Sequence, residues 1–446
     1  MDRTPSAQRW LLAVSFGVGC TRTPPRRAPA DVVVTSVISA ADARAPGCPA
    51  LERRRGGGTL HAGEILGAER WRAEDSPHLL PYGMVVRRGA RLELEPCALL
   101  LVGASRSVTV ATGGALVARG EAPRPIAFSP LEARPWAGLE LEAGVDPTSA
   151  LTAVEIVGAG AGASERPSAA LAVAAEGLVA QGVRVAASES WGVWMRRGAS
   201  FAAGASLDVE GAGEGVAVVD DVNDAARLPL RTLRRNARDE VLVAGGVATL
   251  RRDAVWGALG LRYAVRDGVR LRVGGPASPQ LTILPGTTVI FGADSALDVG
   301  VGEPGALRID AGDAGAMTTL RGVGDGAATW LGVTLGAQID LSRSAFRGVI
   351  VASAGAPTGS PRAGCGCSTD ARADAAMLAL APAGAAQIVS NVLLQRGFAR
   401  GVGVAWVGDS APRGATLVAS GGVDVRGAGV MCAELAPAPP TGCGGE

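Results

Sequence analysis

The sequence contains no lysine, so all 43 of its basic residues are arginines, and it has only two histidines, His61 and His78. Histidine is the side chain that most often transfers protons in enzymes, and lysine is another choice. This composition therefore leaves few candidates for a general base. The 42 acidic residues nearly balance the arginines, so no strong positive field forms and runs such as 53–55 are weak evidence for nucleic-acid binding. No nucleic-acid partner is predicted.

Aromatic residues make up only 4% of the chain, which argues against a deep sugar-binding cleft lined with rings. A long apolar run is also missing: the apolar segment at 10–18 is too short to span a membrane. Glycine is abundant, with 64 residues, but it follows no strict collagen period. This composition is typical of a chain built from short secondary-structure elements and tight turns.

The first residues have the pattern of an export signal. Arg3 and Arg9 give a positive start, the apolar segment follows, and Phe-Gly-Val-Gly-Cys ends at Cys20. This stretch resembles a bacterial lipobox, in which the cysteine is lipidated and becomes the new N-terminus; Gly17 stands where that pattern prefers leucine. The resemblance implies a signal peptide over 1–19, lipidation of Cys20 and an outer-membrane lipoprotein. Ordinary secretion and a buried internal cysteine are the alternatives.

The cysteine count agrees with export. If Cys20 carries lipid, an even set remains, and such a set in an exported chain predicts disulfides, with up to about 15 connectivities. Cys432 and Cys443 are the easiest pair to propose. A metal at Cys365-Gly-Cys367 is the weaker alternative, because no second ligand pair accompanies it. The disulfide candidates are Cys48, Cys97, Cys365, Cys367, Cys432 and Cys443.

The chain has two regions of different composition. Residues 20–57 are rich in proline, arginine and alanine and are predicted to be a disordered tether. From residue 58 short strands alternate with glycine turns, as in LTILPGTTVIFG at 281–292, where two alternating runs meet at a Pro-Gly corner. Densely spaced short strands of this kind favour a solenoid.

The strand-rich part repeats itself. Trp71, Pro96 and Trp136 are followed, roughly 185 to 195 residues later and in the same order, by Trp256, Pro285 and Trp330. LELEPCALLLVG at 92–103 matches the 281–292 stretch, with Cys97 at the position of Gly286. Matches that keep their order predict an internal duplication. We place the first half at 58–245, the second at 246–435 and a Pro/Gly-rich tail at 436–446.

The succession L-x-I-x-P-G-T-x-V-x-F-G, P-I-x-F, W-x-G-L and L-x-x-V-x-I-x-G-A-G resembles the bacterial right-handed parallel β-helix proteins of the pectin-lyase-like class. The resemblance implies an all-β, internally duplicated right-handed parallel β-helix solenoid. Inward leucine, valine and isoleucine would stack coil on coil, and Trp136 and Trp330 would pack against that core. A sugar-stacking platform is the alternative role for these two indoles.

Enzymes of that class cut uronic-acid polysaccharides, with clustered Asp and His or with Ca²⁺. The best acidic cluster here is Asp220, Asp221 and Asp224, which are weak catalytic candidates and a possible Ca²⁺ site. The cluster lies where the first half meets the second, so a solvated linker is the simpler interpretation. No other cofactor or metal is predicted.

The sequence therefore favours a non-enzymatic, envelope-anchored β-helix protein with a structural, glycan-binding or protein-binding role. Its expected partners are the membrane, through the lipid, and a polysaccharide or envelope protein. The alternative is a polysaccharide lyase or glycoside hydrolase, and a coat component that stacks through open coil ends is a third possibility.

Overall fold

A computed structural model shows the chain as a solenoid of short parallel strands. It describes residue 48 and residues 58–61, 63–162, 167–312, 315–324, 330–355, 377–380, 385–395, 404–406 and 417–420. Every pairing between its strands is parallel, and strands pair with those of the preceding and following coils rather than with their neighbours in sequence. The chain is therefore a parallel β-helix, as the sequence predicts.

One row of strands, here called the long sheet, runs through both halves of the duplication. Its members are β2 (Glu64–Ile65), β5 (Met84–Val86), β8 (Ser107–Val110), β11 (Gly138–Leu141), β14 (Ala169–Val173), β17 (Trp191–Met195), β19 (Gly215–Asp221), β21 (Glu240–Val247), β24 (Arg262–Val265), β27 (Thr288–Phe291), β30 (Thr318–Gly322), β32 (Ala345–Ala352), β34 (Val389–Gln395) and β36 (Leu417–Ser420).

Shorter rows form the remaining faces. In the first half they contain β1 (Thr59–Leu60), β4 (His78–Leu80), β7 (Leu99–Val102), β10 (Ile126–Pro130), β13 (Val154–Val157), β16 (Val183–Ala186), β18 (Leu207–Glu210) and β20 (Leu230–Arg234), and then β3 (Ala68–Trp71), β6 (Arg91–Leu94), β9 (Ala115–Arg119), β12 (Ala150–Thr152) and β15 (Val179–Gln181).

In the second half one short row contains β22 (Thr249–Leu250), β25 (Arg270–Val273), β28 (Ala296–Val299), β31 (Gly332–Leu335), β33 (Leu378–Leu380) and β35 (Val404–Trp406). The other contains β23 (Ala254–Trp256), β26 (Gln280–Ile283) and β29 (Ala306–Asp310) and ends on β32. The described helical segments are 3₁₀ turns at Ala73–Asp75, Val222–Asp224, Ala258–Gly260 and Ala385–Ile388. Within the described residues, no helix has the length and apolar character needed to cross a membrane.

The core is a stack of aliphatic side chains inside the coils. Along the long sheet an inward ladder passes in register through a row of fully buried residues: Val86, Val110, Leu141, Val173, Met195, Val219, Val243, Val265 and Phe291. Strand alternation places every second residue inside. Burying each such side chain contributes about 1.5–3 kcal/mol, so the repeated short strands stabilise one another through this column.

The Pro-Gly corner at 285–286 is a type II turn in the scaffold. Thr287 N donates to Leu284 O at 3.2 Å, and Gly286 has a φ of 77°. The equivalent turn of the first half has Ala98 N donating to Glu95 O at 3.0 Å. Type II turns favour proline second and need a positive φ third, which explains both sequences.

Trp136 and Trp330 occupy equivalent places in the two halves. Both are fully buried, and they stack on Phe128 and Phe291 at ring-centroid distances of 6.3 and 4.1 Å. Each indole Nε1 donates to a backbone oxygen, Val157 O at 2.8 Å and Ala352 O at 2.9 Å. The packing role is confirmed, and the sugar-stacking alternative for these two residues is wrong because neither ring reaches the surface.

A disulfide joins Cys48 to Cys97, with the two Cα atoms 5.5 Å apart. It attaches the end of the predicted tether to a corner of the first coils. Cys20, Cys365, Cys367, Cys432 and Cys443 lie outside the described residues, so the lipidation site and the predicted pair Cys432–Cys443 stay predictions.

Candidate functional site

The predicted aspartates lie together in sequence, but their carboxylates have separate partners. Asp220, near the end of β19, accepts a hydrogen bond from Trp194 Nε1 at 3.0 Å. Asp221 caps the following 3₁₀ turn by accepting from Asn223 N at 2.8 Å and Asn223 Nδ2 at 2.6 Å. Asp224 lies 3.9 Å from a guanidinium nitrogen of Arg227.

Asn223 connects this turn to the first strand of the next coil. Its Nδ2 donates to Thr249 O at 3.0 Å, and its Oδ1 accepts from Arg251 N at 2.8 Å. The side chain of Asp224 is only 8% exposed. Burial, followed by the negative charge of Asp221, raises the pKa of Asp224 to about 6. The cluster therefore has a visible structural role where the two halves meet.

Metal chemistry has no evident centre in the described part of the chain. No group of three or more His, Cys, Asp or Glu side chains is arranged there to hold an ion. Ca²⁺ takes six to eight oxygens, so the three aspartates give no support of their own to the calcium hypothesis.

An apolar stripe runs along the outer face of the long sheet. Trp194, Val218, Leu242, Ala264 and Ile290 follow one another in register on β17, β19, β21, β24 and β27. They alternate with the inward ladder, so their side chains point away from the core. Five adjacent strands thus carry a continuous apolar row on the outside of the solenoid.

Two guanidinium groups lie over aromatic rings at one end of this stripe. Arg196 lies 4.5 Å from the ring centroid of Trp194, and Arg238 lies 5.7 Å from that of Trp191, which packs beside the stripe. Arg196 also forms an ion pair with Glu140 at 2.6 Å. These contacts place flat rings and fixed positive charges next to one another.

Leu242, Ala264 and Ile290 of the stripe form the floor of a groove of about 410 Å³, here called the arginine groove, bounded by the turns that follow the strands of the long sheet. Arg262, Arg266 and Arg321 line it. Within the described residues none of the three guanidinium groups has a carboxylate or hydrogen-bond partner. The acidic residues of the lining are already engaged: Glu240 lies 3.6 Å from Arg238, and Asp267 accepts from Ala293 N at 2.8 Å.

A second depression of about 510 Å³ continues the groove toward the C-terminal coils. It shares Arg321 and Gly324 with the first and adds Thr319, Ile350 and Gln395. The combined surface is long and shallow, which suits an extended ligand better than a compact one.

A second cluster lies at the first coils of the solenoid. His61 Nε2 and His78 Nδ1 are 3.0 Å apart, and both imidazoles stack on the indole of Trp71, at ring-centroid distances of 3.7 and 4.9 Å. Burial is the main cause that lowers the pKa of His61, to about 4, and also lowers that of His78. Both rings are therefore neutral at neutral pH.

Sequence reasoning did not find either set of residues. Alternation in the strands predicts that the side chains of Arg262 and Arg321 point outward. Whether these two side chains lie close together depends on the register between coils, which varies with turn length. The two histidines meet for the same reason, because Thr59 pairs with His78 across adjacent coils.

Comparison of the chain with protein-family models, with curated proteins and with solved structures gave no match. The geometry of the chain itself is therefore the basis for its proposed function.

Proposed function

We propose that this chain is a non-enzymatic, envelope-anchored β-helix protein that binds an anionic polysaccharide in the arginine groove. The observation that carries the proposal is the placement of Arg262, Arg266 and Arg321, without partners among the described residues, along an apolar floor. A guanidinium recognises carboxylate or sulfate groups with two parallel hydrogen bonds. An anionic polysaccharide would supply carboxylate or sulfate partners for these three guanidinium groups.

The apolar floor of the groove fits the sugar rings of such a ligand. Sugar rings have apolar faces, and the half-buried Leu242, Ala264 and Ile290 offer a matching surface beside the guanidinium groups. Burying apolar area contributes about 25 cal/mol per Å². Since the groove is open and crosses several coils, its affinity for one sugar would be weak and would grow with the number of sugars bound.

The proposal includes two further parts: the chain is anchored to the membrane through Cys20, and it is related to the pectin-lyase-like β-helix proteins. The disulfide between Cys48 and Cys97 supports export, because disulfides persist in oxidising compartments. A lipid on Cys20 would attach the solenoid to the outer membrane through the 20–57 tether, which leaves the groove free to reach envelope glycans.

A polysaccharide lyase or glycoside hydrolase is the alternative. It would need an acid and a base near the bound sugar. Glu240 and Asp267 are the carboxylates of the groove lining, and each already has a partner within the chain. These engagements favour binding over cleavage.

The test is a binding titration of the purified protein with polyuronate, sulfated and neutral polysaccharides at several salt concentrations. We expect binding of the acidic polymers, with a logarithmic affinity that falls as salt rises, because counterions are released. The double variant R262Q/R321Q should bind at least about tenfold more weakly, in line with the loss of two charge-assisted contacts. R272Q is the matched control, since Arg272 is exposed on β25, in the same coil but on another face.

Equal binding by the double variant, or a preference for neutral polymers, would contradict the proposal. The same mixtures are assayed for reducing ends and unsaturated products, with and without Ca²⁺. Product above background would replace the binding function with the enzymatic alternative and direct attention to Glu240, Asp267 and Asp220.

A further inference from the structure

The only two histidines of the chain, which lie 17 residues apart, meet ring nitrogen to ring nitrogen. His78 is almost fully buried, with 1% exposure, whereas His61 is only half-buried. The arginine groove makes no use of this pair. The packing of a solenoid end does not require two imidazoles to face each other, since aliphatic side chains fill the same core elsewhere.

Hydrogen bonds define the proton positions. The Nε2 of His78 lies 3.0 Å from Arg72 O, and because a carbonyl only accepts, Nε2 of His78 carries the hydrogen. In the neutral ring Nδ1 then has a free lone pair, which faces Nε2 of His61. Metal-binding histidines show this arrangement, in which the far nitrogen donates to a carbonyl and fixes the ring.

Trp71 covers both rings. The indole is nearly parallel to each imidazole, with interplanar angles of 24° and 23°, and its Nε1 donates to Glu69 Oε2 at 2.9 Å. A cation held between the two imidazoles would therefore lie against the face of tryptophan, the aromatic ring that attracts cations best.

We propose that His61 and His78 form a two-coordinate site for a monovalent soft metal ion of the Cu⁺ or Ag⁺ type, bound between His61 Nε2 and His78 Nδ1 beneath Trp71. Metal–imidazole bonds of about 2.0 Å would place the two nitrogens about 4 Å apart. The rings must therefore separate by about 1 Å, which the half-buried His61 allows. The proton on His61 Nε2 leaves to solvent, and Nδ1 takes up a proton in its place, so His61 stays neutral.

The number of ligands selects the ion. Zn²⁺ takes four ligands in structural sites, and no group of three candidate ligands is found among the described residues. A linear pair of neutral nitrogens is enough for a monovalent ion with a filled d shell. The two-histidine site therefore fits a monovalent ion such as Cu⁺ or Ag⁺ and does not fit a divalent ion.

The experiment is a titration of the full-length protein with Ag⁺, after free thiols are alkylated and with the disulfide intact, followed by ¹⁵N NMR of the imidazole rings. Because the chain has two histidines, these spectra report on this site alone. We expect saturation at one Ag⁺ per chain, with large shifts of His61 Nε2 and His78 Nδ1 and a small shift of His78 Nε2. His61→Gln should reduce the affinity at least about tenfold, and Trp71→Phe should keep the histidine shifts.

Ring nitrogens of the wild-type protein that stay unshifted at saturating Ag⁺ would overturn the assignment, whatever the variants do. A stronger response to Zn²⁺ than to Ag⁺ would overturn the two-coordinate monovalent site. Both results are independent of the arginine groove, so they leave the proposed polysaccharide binding unaffected.

Discussion

Cys97 and Gly286 have the same left-handed backbone conformation, with φ angles of 72° and 77°, at the third position of two equivalent turns. Glycine adopts this conformation without strain, and a residue with a Cβ pays roughly 1 kcal/mol or more. The first half keeps a strained residue there because Cys97 forms the disulfide with Cys48.

The first prediction follows from that pair. In a background without the disulfide, C48A/C97G should be more stable than C48A/C97A by about 1 kcal/mol, because glycine relieves the positive φ. Urea unfolding followed by circular dichroism measures the difference. Gly286→Ala should cost a similar amount, whereas Gly67→Ala is the control, since Gly67 has open space around it and no positive φ. Equal midpoints for the two double variants would refute the equivalence of the turns.

The second prediction concerns the buried tryptophans. Trp330→Phe keeps most of the stacking on Phe291 but leaves Ala352 O without its 2.9 Å donor. Loss of a hydrogen bond to this partly buried acceptor costs about 0.5–1.5 kcal/mol, so the unfolding midpoint should fall. Trp136→Phe should lose a similar amount, because Val157 O loses its donor in the same way. A large loss in one half with none in the other would show that the equivalent residues differ in role.

The third prediction is a pH dependence at Asp224. Its pKa is about 6 in the folded protein, against 3.8 for an ordinary aspartate, because of burial and the charge of Asp221. The folded state therefore binds a proton that the unfolded chain has released between these values. The associated stability is fully present below pH 3.8 and is lost as the pH rises through about 6.

Asp224→Asn should thus stabilise the protein at pH 7.5 by about 1–3 kcal/mol, and the gain should shrink as the pH falls below about 6. Glu176→Gln, at an exposed position, is the control for removing one carboxylate. Unfolding curves at pH 4.5, 6 and 7.5 provide the measurement. A gain that is the same at every pH would show that the carboxyl does not titrate as described.

The fourth prediction concerns Cys20. If the cysteine is lipidated, Cys20→Ala expressed in a bacterium that lipidates proteins should abolish labelling by a fatty-acid analogue and should leave the protein unprocessed or soluble. Membrane fractionation and mass spectrometry of the N-terminus check this outcome. Ser15→Ala, upstream of the cysteine, is the control and should be processed normally. Unchanged fractionation of the cysteine variant would remove the lipid anchor from the proposal.

Much of the fold can be derived from the sequence. The alternating runs on either side of Pro285 predict two strands and a turn, and the structure has β26, that turn and β27. Residues of the same type recur in the same order in the two halves, and this recurrence predicts the duplication, because equivalent core positions need similar side chains. These features depend on local chemistry, which a sequence displays directly.

The candidate site depends on longer-range geometry. Leu242 and Ile290 are separated by 48 residues in sequence but belong to one outer row because β21, β24 and β27 pair in register. No local pattern fixes that register, since turns of different length connect the coils. The same holds for His61 and His78, whose facing nitrogens depend on one pairing between β1 and β4.

The unbroken pairing of the long sheet also sets a spacing for whatever the groove binds. Neighbouring strands lie about 4.7–4.9 Å apart, so the outward side chains of Leu242, Ala264 and Ile290 are separated by that interval. A polymer whose repeat matches the interval would meet equivalent contacts on every coil. One with a different repeat would lose alignment after a few units, and the solenoid would thereby discriminate between polymers by period as well as by charge.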